Sequence, residues 1–133
     1  MGMVDKPTFS IVDPTMSITV FLENGIYSMS PESATGKTYL MGLLQKYRTF
    51  GYPVFGASYS KDNIITLSEA ELKSIRLALF DRYDMYYGTI DNEIQIISKN
   101  GIVLLDCKLQ SHMPLLADTC GVRLIYPNRI EVR

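Results

Sequence analysis

The sequence predicts an α/β layered fold, a sheet of buried strands with flanking helices and a β-hairpin near each end. Three observations predict it. Apolar runs of strand length (Pro53 to Ala57, Ile75 to Asp81, Ile102 to Leu105) alternate with segments of helical spacing. Alternating segments flank a polar turn near both ends of the chain. The run Pro31-Glu32-Ser33-Ala34-Thr35-Gly36-Lys37-Thr38 lies between a strand-like and a helix-like stretch and departs by one letter from G-x-x-x-x-G-K-[ST]. A chain of 133 residues with 47% apolar content is sized for one domain, placed at residues 15–133 behind an irregular segment, residues 1–14.

In chain order, Met1 to Pro14 carries prolines and aspartates without a sustained period, hence the irregular assignment. Ser17 to Leu22 and Ile26 to Met29 alternate on either side of Asn24-Gly25, the signature of a hairpin. After the glycine-lysine run, Leu40, Met41, Leu43, Leu44 and Tyr47 recur at spacings of three and four, predicting a helix from Thr38 to Tyr47 that ends at Gly51 and Pro53. Pro53 to Ala57 is a strand, followed by a polar loop around Ser60 to Asn63. Ser68 and Glu71 have the spacing of a capping box.

Ile75 to Asp81 is nearly continuously apolar, as suits a parallel strand buried on both faces. Thr89 to Ser98 places Ile90, Ile94 and Ile97 on one helix face, and Asn100-Gly101 closes it before the strand Ile102 to Leu105. Met113 to Cys120 reads as a helix with Pro114 in its first turn. Val122 to Tyr126 and Arg129 to Val132 form the second hairpin, around Pro127-Asn128.

The chemistry of the near-complete motif is that of a phosphate loop. Backbone amides of Ser33, Ala34, Thr35 and Gly36 cradle phosphate oxygens, and Gly36 removes a Cβ that would block the approach. Lys37 brings a mobile cation to the outer phosphates and Thr38 offers a hydroxyl to Mg²⁺, while the helix turns its positive end toward the anion. Pro31 replaces the first glycine, fixing φ and removing one N–H at the loop's entry. A metal site also needs a carboxylate at the tip of a buried strand. Asp81 and Asp106 both follow apolar runs; their order along the chain assigns the metal role to Asp81 and leaves Asp106 as a strand-end cap.

Four segments resemble the nucleotide-binding core of the ABC-type ATPases, including the related cohesin and recombination-repair ATPases, in a truncated and degenerate form. "SITVFLENGIYSMS" is similar to that family's antiparallel entry into the phosphate loop, and "IRLALFD" to its Walker B strand. "GIVLLDCK" resembles the strand carrying the switch histidine, and "LADTCGVRLIYPNRIEV" the closing segment. The resemblance implies a P-loop NTPase-like sheet with ATP and Mg²⁺ as ligands.

The departures fall on the hydrolytic positions. Arg82 follows Asp81 where the family has its catalytic glutamate, and arginine accepts no proton at neutral pH. Asp84 is the substitute base, two residues on. Lys108 stands at the switch-histidine position, with His112 four residues beyond. "LSEAE" at Leu67 sits fourteen residues before Asp81, too close for the family's signature loop and its helical subdomain.

A formal charge of -1 disfavours a surface that is basic throughout, so direct contact with nucleic acid is not expected. Arg123, Arg129 and Arg133 read as a solvated face, and Tyr83, Tyr86 and Tyr87 as packing. Cys107 and Cys120 read as buried free thiols of a reducing cytoplasm, and no stretch is apolar enough to span a bilayer. The expectation is a small protein binding a nucleoside triphosphate with weak or no hydrolysis, a homodimer or protein partner supplying what is missing. The alternative is a non-catalytic interaction module on a degenerate P-loop fold, accessory to a nucleic-acid process.

Overall fold

The computed structural model describes residues 4–30, 34–58, 67–85, 89–107, 117–125 and 128–133, and not the side chains of residues 34, 35 and 58. The strands are β1 (Phe9–Ile11), β2 (Ser17–Val20), β3 (Gly25–Met29), β4 (Val54–Ser58), β5 (Leu77–Asp81), β6 (Ile102–Leu105), β7 (Asp118–Cys120), β8 (Val122–Ile125) and β9 (Arg129–Val132). Among the described residues the helices are α1 (Ala34–Thr49), α2 (Glu69–Ser74) and α3 (Asp91–Asn100), with a 3-10 turn at Tyr83–Met85. No helix among the described residues is long and apolar enough to cross a membrane.

Five strands form a wholly parallel sheet in the order β4-β5-β6-β3-β7. Side chains alternate across it, as the period of two requires. Leu77, Leu79, Ile102 and Leu104 face one core with Leu40, Leu44 and Tyr47 of α1. Ala78, Phe80, Val103 and Leu105 face a second core with Leu72 of α2 and Ile94 and Ile97 of α3. Burial on both faces explains why β5 and β6 are apolar without interruption. From β3 the chain crosses the sheet to β4 through α1 on one face, then steps back through α2 and α3 on the other. A constant crossover hand demands this change of face when the direction reverses.

The remaining strands form a second sheet, β1-β2-β9-β8, whose Ile18, Val20, Ile130 and Val132 close the core on the α1 side. Two antiparallel hairpins, β1 with β2 and β8 with β9, are joined by parallel pairing of β2 with β9. The α/β class, the buried strands β5 and β6, the capping box of α2 and the closing hairpin all agree with the sequence reading.

Three expectations are corrected. Residues 1–14 are not irregular throughout, because Phe9–Ile11 forms the edge strand β1, with Ile11 buried. Asn24-Gly25 does not turn a hairpin: β2 pairs with β1 and β9, whereas β3 pairs in parallel with β6 and β7. Gly25, at φ 154°, instead carries the chain from one sheet to the other. Ala117 to Cys120 does not end a helix, since Asp118–Cys120 is the edge strand β7 beside β3. The loop at Ser60 to Asn63, the start of that segment at Met113, and Tyr126-Pro127 lie outside the described residues.

Candidate functional site

The candidate site lies at the carboxyl ends of β3, β6 and β5. The chain leaving β3 enters α1 on one face, and the chain leaving β5 reaches α3 on the other. In open α/β sheets such a divergence marks where ligands bind, beyond the strand ends. Helix α1 begins at Ala34, four residues earlier than its spacing predicts, so Gly36, Lys37 and Thr38 are helical rather than part of a loop. The N–H groups of Ala34, Thr35 and Gly36 fall in the first turn, where a helix has no internal partners for them. No acidic residue occupies that turn. Pro31 and Ser33 lie outside the described residues.

From the first turn of α1, Lys37 reaches the tips of two neighbouring strands. Its Nζ lies 2.7 Å from Asp106 Oδ2 and 3.5 Å from Asp81 Oδ1. The register explains the convergence: Phe80 pairs with Leu105, so the next residues, Asp81 and Asp106, emerge side by side. Backbone bonds from Asp106 N to Phe80 O (3.0 Å) and from Tyr83 N to Asp106 O (2.7 Å) hold the two tips together. Both carboxyls and the ammonium are partly buried, with side-chain exposures of 29%, 19% and 23% for Asp81, Asp106 and Lys37.

The electrostatics divide the two aspartates. Burial, and then the neighbouring Asp106 carboxyl, raise Asp81 above the ordinary carboxylate range despite Lys37. Burial also pushes Asp106 up, but the bond from Lys37, the neighbouring Asp81 and the Arg82 backbone N–H together bring it below that range. Burial lowers Lys37, and the two carboxylates more than restore it, leaving its ammonium stabilised. The arrangement is one cation shared by two like-charged groups, in which a proton favours Asp81.

Asp106 therefore stands where the sequence reading placed only a strand-end cap: it is Lys37's nearer partner. Its signal was the same apolar-run-then-aspartate pattern that marked Asp81. Gly36 has a structural reason to be glycine beside the one expected from the motif. A Cβ there would lie 2.8 Å from the Val122 carbonyl oxygen and 2.9 Å from its Cγ1, so the close seating of α1 on β8 already requires glycine.

Arg82 adopts φ 58°, a left-handed conformation uncommon for a side chain of its size. That turn aims its N–H at the Asp106 carboxylate. The Asp84 side chain is only 4% exposed and its Oδ1 lies 3.7 Å from Arg82 Nε, so it pairs with that arginine. Tyr83 is buried and donates to Asp91 Oδ1 at 2.7 Å, tying this turn to the start of α3. Thr38 is exposed on the first turns of α1. Tyr86, Tyr87, Lys108 and His112 lie outside the described residues.

Mg²⁺ takes one or two protein carboxylates together with phosphate oxygens and water. The residues present fit that demand. Asp81 Oδ1 is a buried oxygen with Lys37 3.5 Å away, and Asp106 is beside it. No group of three or more His, Cys, Asp or Glu side chains converges among the described residues, so a self-sufficient metal cage is not formed there.

Away from the site, Cys107 and Cys120 are buried, and burial pushes the Cys120 thiol up to about 12. Arg129 and Arg133 both pair with Glu131, and Arg123 is exposed on the strand alongside. No family model, curated protein or solved structure matches this chain.

Proposed function

We propose that this protein binds a nucleoside triphosphate together with Mg²⁺, ATP being the first candidate, with weak or no hydrolysis of its own. The observation that carries the reading is Lys37. It projects from the first turn of a helix that follows a central parallel strand, onto carboxylates at the tips of the next two strands. A cation, a helix N-terminus and metal-competent carboxylates are thereby within one side chain's reach. Lys37 would hold the outer phosphates, the amides of Ala34 to Gly36 the remaining oxygens, and Thr38 and Asp81 the metal. Bound Mg²⁺ would supply charge neutralisation of the phosphates. Weak turnover follows from Arg82 in the base position and from Asp84 being engaged with it.

The test is thermal-shift titration with Mg-ATP, wild type beside Lys37→Ala. At ten times Kd a ligand stabilises by roughly 1.4 kcal/mol, a Tm rise of roughly 4–7 °C in a domain this size. The wild type should show this rise at millimolar Mg-ATP and Lys37→Ala should not, each against its own ligand-free Tm. Equal shifts, or none in either protein, remove the reading.

A second reading is a non-catalytic interaction module. It is favoured by Gly36, whose lack of a Cβ is required by Val122 without any ligand. On this reading the Lys37 cluster is a structural ion pair closing the strand tips, and Mg-ATP leaves Tm unchanged.

A further inference from the structure

Lys37 is engaged by two carboxyl groups of its own chain. Its ammonium is a compact charge with three donors, and its nearest partner is Asp106 at 2.7 Å, with Asp81 Oδ1 at 3.5 Å. A triphosphate arriving at the first turn of α1 competes with Asp106 for this cation. It also brings further negative charge beside two partly buried carboxyl groups, which one ammonium cannot offset. A divalent cation arriving alone meets the opposite difficulty. Lys37 occupies the approach to Asp106, and two carboxyls without phosphate make an incomplete ligand set for Mg²⁺.

We propose that Asp106 is the counter-ion that holds Lys37 in the free protein, and that transfer of Lys37 from Asp106 to phosphate makes nucleotide and divalent-cation binding mutually dependent. The proposal rests on the nucleotide reading above and concerns how that same site loads. Lys37 leaves the carboxylates as Mg²⁺ takes its place beside them, so when the nucleotide draws the ammonium away the two carboxyls keep a cationic partner only if Mg²⁺ arrives with it. Asp81 Oδ1, buried and 3.5 Å from the ammonium that Asp106 holds at 2.7 Å, is the oxygen that gains most from the exchange. Asp106 acts through Lys37 and is a positioning residue.

Calorimetric titration with ATP in excess MgCl2, ATP in EDTA, and MgCl2 alone, on wild type and Asp106→Asn, tests this. Asparagine keeps the shape and an acceptor for Lys37 but removes one negative charge. The wild type should bind Mg-ATP at least tenfold more tightly than metal-free ATP and show no heat with MgCl2 alone. In Asp106→Asn the ratio should fall to threefold or less, through better binding of metal-free ATP. Wild-type binding that is equal with and without Mg²⁺ overturns the coupling and leaves the nucleotide reading standing. An unchanged ratio in Asp106→Asn assigns the coupling to chelation in solution and overturns the role of Asp106. No binding of either form removes the nucleotide reading and this proposal with it. A measurement needing no variant is the ¹⁵N resonance of Lys37 Nζ. It should move with Mg-ATP and stay in place with MgCl2 alone; movement with MgCl2 alone overturns the proposal.

Discussion

Gly36 has two physical reasons to be glycine, and they make opposite predictions for a ligand-free experiment. If only phosphate needed the open backbone, Gly36→Ala would stabilise the empty protein by about 1 kcal/mol, the helix-propensity difference. The geometry opposes this. The atoms a Cβ would strike belong largely to the backbone of Val122, which cannot yield without disturbing β8. Gly121 and Arg133 bond in both directions just beyond it, at 2.7 and 3.0 Å, and pin that strand to β9. Overpacking of this kind costs about 1–3 kcal/mol. Gly36→Ala is therefore expected to lower stability in urea without any nucleotide present. Lys37 stood out in the sequence because it sits in a motif whose spacing has a chemical purpose, and Asp81 because a carboxylate ends its apolar run and comes first along the chain. Asp106 was legible only as a pattern, since its reach to Lys37 depends on β6 lying between β3 and β5. No local spacing encodes that order.

Elements whose determinants are local were read correctly. In α2 the Ser68 side chain accepts from Glu71 N at 3.1 Å, and Glu71 Oε1 accepts from Ser68 N at 3.2 Å. A six-residue helix is too short to persist alone, so its caps and its buried Leu72 carry it. Ser68→Ala is expected to cost about 1 kcal/mol in chemical denaturation. Glu71 also lies 3.6 Å from Arg48 at the end of α1, an exposed pair that adds little. Elements whose partners are distant were misread. Asn24-Gly25 satisfies every local requirement of a hairpin, yet the strand after it finds better partners in the fully buried β6 and in β7. The strand before it pairs with β9, more than a hundred residues away along the chain. Asp118–Cys120 buries only Cys120 and is held by pairing with β3, so its sequence carries little strand signal.

At the scale of the molecule, the two sheets share one core rather than packing as separable units. Ile18 and Val20 of β2 and Ile130 and Val132 of β9 belong to the same buried cluster as Leu40 and Leu44 of α1 and Leu77, Leu79 and Leu104 of the parallel sheet. Helix α1, which carries Lys37, lies between the sheets and contributes to that cluster from its buried face. The site's geometry thus depends on the second sheet, although none of the site's residues comes from it. Ile130, fully buried at the junction of the two hairpins, is the position where this dependence is most directly tested. Truncating a buried isoleucine to alanine costs about 2–5 kcal/mol, a large share of the roughly 5–15 kcal/mol that holds a domain together. If the core is shared, Ile130→Ala lowers the stability of the whole chain by that amount in one transition. Hydrogen-exchange protection of amides in β5 and β6 should then fall in step with protection in β9. A four-stranded sheet that melted first, leaving β5 and β6 as protected as in the wild type, would mean separable units. The position of Lys37 over Asp106 would then be set by α1 and the parallel sheet alone.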